Sequence, residues 1–428
     1  MTDAWRTWCL LRRLRTGTRA APAALLDAQN ELLKRAVAHA ARHVPFYRRY
    51  WPEHGFAATG FRGLADLERI PIVDSRTMKE AARSGELLAD GLRSAALTYL
   101  DSSGSSGSVT RIWKGPEEER VRRAVGLRIW LEHGFRWQDV TAQFQIRPGP
   151  HLFLQRLGVS RKTWITTAQP LAHQRAQFLA ARARVVAGTP TALRAICGAL
   201  RAADARPARP RVVFAAGEIL DAATRRLVRE TLGCEPVAIY GQTEVGYVAW
   251  QCERRQDFHI NADTHLVETR GPDGPAAPGK LGRVVITDLR CRTMPFLRYD
   301  TGDLAIAAQG VCPCGRTLPT LATFEGRLSG ALVLDSGAIL TPRRLLDALA
   351  DALPPESYRI EQKTPHAFRM VFLENVDEGR RAAALAILRE LLGTATIHTA
   401  SSAGWAADGT GKTHAVAGPA WPSAGNPC

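Results

Sequence analysis

The segment RVVFAAGEILDAATRRLVRETLGCEPVAIYGQTEVG, residues 211–246, sets two apolar runs around one helical stretch. Residues 211–215 and 235–240 read as short buried strands, and residues 222–232 between them read as a helix. Strand, helix and strand in such close succession predict an α/β architecture with a largely parallel sheet. Working outward, residues 29–44 place Leu32, Leu33, Ala36, Val37, Ala40 and Val44 on one helical face, and Pro45 ends that helix. Glu117 to His133 reads as a second helix, with Pro116 suited to its first turn. Residues 271–282, rich in Gly and Pro, form a turn leading into a strand at 283–288.

After residue 330 the pattern changes to strand 331–334, helix 342–352, strands near 358–361 and 367–373, helix 378–392 and strand 394–399. That alternation predicts a compact α+β unit with its own core. The expected organisation is a large domain over 1–326 and a small one over 327–428, with the boundary near Gly326–Ser329 and an irregular tail from 414 to 428. No internal repeat is present.

A chain of 428 residues with 45% hydrophobic and 23% charged residues has an ordinary globular balance. No run approaches the roughly 20 apolar residues that span a bilayer. Met1 to Arg15 is basic but lacks the apolar core of a signal peptide, which predicts a cytoplasmic protein with no membrane partner. The formal charge of +16 comes from 57 basic residues, only seven of them Lys, and the Arg residues are spread along the chain. There is no basic stripe with interleaved aromatics and no nucleic-acid module, so a specific nucleic-acid partner is not expected. A diffuse positive field still attracts anions such as ATP or coenzyme A. The eight cysteines are scattered rather than forming the framework of a small secreted protein.

Three motifs carry chemistry. In YLDSSGSSGSVTRIWK, residues 99–114, an apolar run ends in Ser102, Ser103, Gly104, Ser105, Ser106, Gly107 and Ser108, a loop whose backbone and hydroxyls can wrap a phosphate. Tyr240-Gly241-Gln242-Thr243-Glu244 directly follows a predicted strand, where ligand crevices form in such sheets. There Thr243 can donate to a phosphate and Glu244 can hold Mg²⁺. In Arg298-Tyr-Asp-Thr-Gly-Asp303, the Asp303 carboxylate can accept both hydroxyl protons of a ribose.

The order and spacing of these motifs resemble the adenylate-forming superfamily, in particular its phenylacetate–CoA ligase-like branch with capsule-biosynthesis relatives. Further likenesses are HVPFYRRYW (43–51), AAGEIL (215–220), CPCGR (312–316) and EGRLSGALVLDSGAILTP (325–342). The resemblance covers residues 30–415. It implies that the Ser/Gly loop embraces the ATP phosphates, that Tyr240–Glu244 meets adenine, phosphate and Mg²⁺, and that Asp303 grips the ribose. Gly217, Glu218 and Arg327 join this implied nucleotide-binding set. The family's catalytic lysine lies in a Gly-Lys segment near the C-terminus, which Gly411-Lys412 matches. A Walker A reading of GTGKT fails, because its first glycine would be Ala406 and no helix follows.

Cys312-Pro-Cys314 is a tight pair, and Cys252 and His259 follow the Tyr-Gly-x-Thr-Glu motif. Three thiolates and one imidazole would make a closed structural zinc site. Unligated thiols in two adjoining loops are the other reading, and Cys291 could replace one ligand.

The implied reaction is attack of a carboxylate on the ATP α-phosphate with loss of pyrophosphate, followed by acyl transfer to coenzyme A. Lys412 would bridge the carboxylate and the α-phosphate, so the small domain must close and then swing about residues 326–330. The resemblance points to aryl acids and to a pocket near 213–220 and around Tyr240. A carrier protein or an amine is the alternative acceptor, a noncatalytic nucleotide-binding protein is the alternative of another class, and a homodimer is allowed. One departure stands out. The family's hinge usually reads Gly-Arg-Ser-Asp-Asp, whereas this chain has Gly326-Arg-Leu-Ser-Gly330, with no acidic hinge residue.

Overall fold

The computed structural model describes residues 3–93, 96–102, 110–149, 155, 158–254, 257–334, 336–364, 366–404 and 416–418. The chain falls into two compact units, one formed by Met1–Glu132 with Ile239–Thr323 and the other by His133–Ala238 with Phe324–Pro422.

In the first unit, the helix predicted over 29–44 begins earlier and runs Pro22–His43, because Pro22 is pre-set for a first helical turn. It buries Leu25, Leu33, Ala36, Val37 and Ala40 along one stripe. Pro45 ends it but also opens a new helix, Pro45–Glu53, which buries Phe46, Tyr47 and Trp51. The helix Pro116–Glu132 matches its predicted span to within a residue. Thr98–Ser102 and Thr110–Lys114 pair antiparallel, with Ser102 opposite Thr110. This ribbon flanks the Ser/Gly loop.

The strands between 246 and 307 pair antiparallel. His265–Gly271 pairs with Leu281–Asp288, which pairs with Tyr299–Ala307. Gly246–Gln251 pairs with the end of Pro236–Gln242 on one side and with Phe258–Ile260 on the other. The parallel part of the predicted sheet lies in the second unit, where Thr141–Gln145 runs parallel to Lys162–Thr166 and Val185–Gly188, and Val185–Gly188 to Val212–Ala216. Helices Leu171–Ala181, Pro190–Ala202 and Ala222–Leu232 accompany these strands. Phe144, Val186, Ile196, Val213 and Val228 meet in their shared core. Asp221 accepts from Thr224 N at 2.8 Å and so caps the helix predicted over 222–232.

The α+β segment predicted after residue 330 has its own core of Leu345, Tyr358, Ile360, Phe368, Met370 and Leu388. Burying each such side chain contributes about 1.5–3 kcal/mol. Its sheet runs Thr396–Ser402, Ala367–Leu373, Tyr358–Thr364 and Val416–Ala417. The predicted irregular tail is therefore corrected at one point: Val416 and Ala417 pair in parallel with Ile360 and Glu361 and supply otherwise missing partners at that edge. Among the described residues no helix is long and apolar enough to cross a membrane.

Candidate active site

Three of the predicted nucleotide-contacting residues converge in the first unit. Tyr240 donates its hydroxyl to Asp303 Oδ2 at 2.7 Å, and Gln242 Nε2 donates to the same oxygen at 2.6 Å. Gln242 Nε2 also lies 3.2 Å from the Tyr240 hydroxyl. Burial, followed by the charge on Asp303, pushes the Tyr240 hydroxyl well above its ordinary range, which keeps it a neutral donor. Gln242 Oε1 is buried with no hydrogen-bond partner among the described residues. An acceptor so placed is costly unless a ligand donor reaches it.

Local backbone geometry explains how these groups meet. The two strands Pro236–Gln242 and Gly246–Gln251 approach so closely that a Cβ at Gly241 would lie 2.5 Å from the Gly246 carbonyl oxygen. The register shifts between Tyr240 and Gly241, a bulge that re-aims the following side chains. Asp303 sits on Tyr299–Ala307 just after Gly302, whose φ of +73° suits glycine.

The preceding Arg298 has φ +46°, uncommon for a residue with a side chain. It is held there by a paired contact to Glu268, Nε to Oε1 at 3.0 Å and Nη2 to Oε2 at 2.8 Å, and by donation to the carbonyls of Glu68 and Ile70. Motif reading singled out Asp303 but missed the role of Arg298. The signal was present in the motif, an arginine opening a turn, but its partners lie far off in sequence.

Thr243 and Glu244 occupy the turn between the two strands. Glu244 is 7% exposed, and its carboxylate has no ion-pair or hydrogen-bond partner among the described residues. A carboxylate without a protein cation beside it, on a largely buried side chain, is a donor that suits a hard divalent cation. Its backbone carbonyl accepts from Lys114 Nζ at 2.7 Å. Lys114, at the end of the strand leaving the Ser/Gly loop, was also missed, because a single lysine after a strand carries no motif. Ser102 is buried, and its hydroxyl accepts from Thr110 N at 3.3 Å at the neck of that loop. Ser103, Gly104, Ser105, Ser106, Gly107 and Lys412 lie outside the described residues.

Gly217, Glu218 and Arg327 belong to the second unit. Gly217 adopts φ +88° at the end of Val212–Ala216, and Glu218 Oε2 accepts from the backbone and hydroxyl of Thr191 at 2.9 and 2.7 Å. Arg327 is exposed at the end of Thr320–Arg327.

The predicted metal ligands also converge. The donor atoms of Cys252, His259, Cys312 and Cys314 all lie within 4.8 Å of one another. Cys252 Sγ and Cys312 Sγ are 3.5 Å apart, and Cys314 Sγ and His259 Nε2 are 3.2 Å apart. Zinc–sulfur bonds of about 2.3 Å in a tetrahedron require sulfur–sulfur edges of about 3.8 Å, so the set is nearly the right size. Burial, then the Arg316 charge, lowers His259 to about 4, leaving a neutral imidazole able to ligate. Backbone amides of Arg254 and Arg316 each sit 3.4 Å from a thiol, Cys252 and Cys314 respectively, the kind of outer contact that orients thiolate ligands. Cys291 stands outside this group. Its thiol donates to Met294 O at 3.1 Å, and burial pushes it up to about 12.

No protein-family model matches the chain. A phenylacetate–coenzyme A ligase from Thermus thermophilus is 31% identical over 320 residues, covering 72% of this chain and 71% of the relative. One from Pseudomonas putida is 22% identical over 387 residues, covering 84% and 85%. Among solved structures, a 2-hydroxyisobutyryl-CoA ligase in the postadenylation state superposes with a TM-score of 0.72 at 19% identity, covering 92% of this chain and 90% of that one. An anthranilate CoA ligase bound to anthranoyl-AMP gives a TM-score of 0.56 at 13% identity, covering 74% and 64%. The fold is thus shared with adenylate-forming CoA ligases, and the extent and identity of the first match place the chain in the phenylacetate–CoA ligase family.

Proposed function

We propose that the protein activates a carboxylic acid with ATP as an acyl-adenylate, releasing pyrophosphate, and then transfers the acyl group to the thiol of coenzyme A. The observation that carries this reading is the convergence of Tyr240 and Gln242 on one oxygen of Asp303. Asp303 is the carboxylate that would accept from the ribose hydroxyls, and the buried Gln242 Oε1 offers an acceptor to the adenine amino group. Ser102–Gly107 cradle the triphosphate, and the family resemblance alone gives nucleotide contacts to Gly217, Glu218 and Arg327. Both reacting partners are anions, so rate comes from positioning and from charge neutralisation.

Glu244 is the carboxylate that would hold Mg²⁺, which supplies charge neutralisation at the phosphates, and Thr243 donates to a phosphate oxygen. Lys412 places its ammonium between the carboxylate and the α-phosphate. The segment 327–428 acts as the mobile domain that brings Lys412 in, turning about 326–330. Its core is built from its own residues. Cys252, His259, Cys312 and Cys314 hold a structural Zn²⁺, and the enzyme works in the cytoplasm.

The test is acid-dependent ATP–pyrophosphate exchange across aryl and short acyl acids, with thioester formation followed in the presence and absence of coenzyme A. Exchange with at least one acid, and AMP formation coupled to thioester, are expected. No exchange across the whole panel would refute the adenylation step.

A further inference from the structure

In the first unit a cavity of about 40 Å³ is lined by Lys114, Val121, Val125, Thr243, Tyr247 and Asp288 among others. It has room for about three waters. Two of its polar groups keep unused hydrogen-bonding capacity. Lys114 is 6% exposed, and among the described residues its ammonium has a single acceptor, the Glu244 carbonyl. An ammonium carries three donors, so two remain. Asp288 is 8% exposed. Its Oδ1 accepts from the backbone amides of Arg290 and Cys291 at 2.9 and 3.0 Å, while Oδ2 has no partner among the described residues. His265, on the same wall, is already saturated by Thr264 and the Val245 carbonyl. Polar groups that line a cavity in this way are normally paired by protein, water or ligand.

From this juxtaposition we infer that the cavity is the end of the acid pocket and that the acid it serves carries a hydroxyl group. The inference rests on the adenylation reading above, because that reading gives Thr243, which borders the cavity, to a phosphate of the ATP that the acid attacks. A hydroxyl accepts from Lys114 and donates to Asp288 at once. A second carboxylate would face Asp288 and Glu118, an ammonium would face Lys114, Arg122 and Arg290, and a methyl group would strand both Lys114 and Asp288. Val121 and Val125 line the same space and suit the hydrocarbon part of the acid.

The experiment uses the full chain and matched acid pairs: phenylacetate with its ring-hydroxylated isomers, benzoate with its isomers, and short acids with and without a hydroxyl. Pyrophosphate exchange gives kcat/KM for each acid with the wild type, Lys114→Met and Asp288→Asn. Asn keeps the Oδ1 acceptor for the two amides and replaces Oδ2 by a donor. For at least one pair the wild type should favour the hydroxy acid by about tenfold or more. Both variants should bring that ratio to about one, and Asp288→Asn should do so with the KM for ATP within about twofold.

A wild-type ratio near one for every pair would overturn the proposal and leave water as the occupant. So would equal losses for all acids with a raised KM for ATP, which would assign Lys114 to holding the Glu244 turn alone. Exchange with no acid would remove the adenylation reading and this inference together. Thermal melting of each variant separates these results from loss of fold.

Discussion

Replacing Asp303 by Asn tests the nucleotide site at its most constrained atom. Oδ2 accepts two short hydrogen bonds, 2.7 Å from Tyr240 and 2.6 Å from Gln242. An Asn that presents its amide oxygen there keeps both bonds but loses their charge assistance, about 1 kcal/mol each. Stability should then fall by about 1–2 kcal/mol, or about 2–8 °C in Tm for a unit of this size. The effect on ATP is larger. The group left to face the ribose becomes an NH₂, which cannot accept from a hydroxyl and meets the hydroxyl hydrogens head-on. Losing one charge-assisted bond and stranding a donor costs about 2–3 kcal/mol. At 1.4 kcal/mol per factor of ten, the KM for ATP should rise about 30- to 150-fold. The assay is acid-dependent pyrophosphate exchange with ATP varied at saturating acid, beside a thermal melt. A variant that melts lower but keeps its KM for ATP would refute the reasoning, because Asp303 would then only tie Tyr240 and Gln242 together.

The metal centre predicts one zinc per chain in purified protein. Zinc should be absent from Cys312→Ser and removable by chelator with a drop in Tm, and metal-free wild type would end the idea. Gly241→Ala forces a Cβ to within 2.5 Å of a backbone oxygen, so it should cost about 1–3 kcal/mol and lower exchange further by displacing Thr243 and Glu244. Unchanged activity would mean that the turn tolerates a shift. Arg298→Met removes the paired contact and leaves Glu268 with Arg270 at 3.5 Å, so it should cost about 1.5–3 kcal/mol in a denaturant titration. Lys412→Ala should abolish exchange while sparing hydrolysis of a preformed acyl-adenylate, and equal loss of both would remove the role given to that lysine.

Much of the fold was legible wherever period and punctuation agree. The helices at 222–232 and 378–392 fall on their predicted spans, since Asp221 and Asp377 cap their starts and Gly233 and Gly393 follow their ends. The antiparallel pairing of 265–307 was not legible. Strands buried on both faces read alike whether parallel or antiparallel, and only the pairing partner decides. The edge strand Val416–Ala417 was hidden for another reason: two residues show no period, and their pairing with Ile360 and Glu361 comes from tertiary placement. At the site, short contiguous motifs carried Tyr240, Gln242 and Asp303. Lys114 and Arg298 escaped because what makes them matter is a contact spanning 130 residues in one case and 30 in the other.

The same distinction explains the arginine excess. A formal charge of +16 could suggest a polyanion surface, yet several arginines are spent inside the first unit. Arg128 is fully buried and pairs with Asp263 while donating to Asn261 Oδ1 at 2.7 Å. Arg298 grips Glu268, and Arg316 bridges Glu132 and Glu253 at 3.0 Å each. A planar guanidinium with five donors suits such multi-partner sites where a lysine would leave acceptors unmet. Each of the three also pins an element of a candidate site. Arg298 holds the strand of Asp303, Arg316 follows Cys314, and Asn261, which Arg128 contacts, donates to the Tyr247 carbonyl beside the Thr243–Glu244 turn. Charge counted along the sequence therefore overstates what faces solvent, and part of the basic excess fixes the geometry on which the proposed chemistry depends.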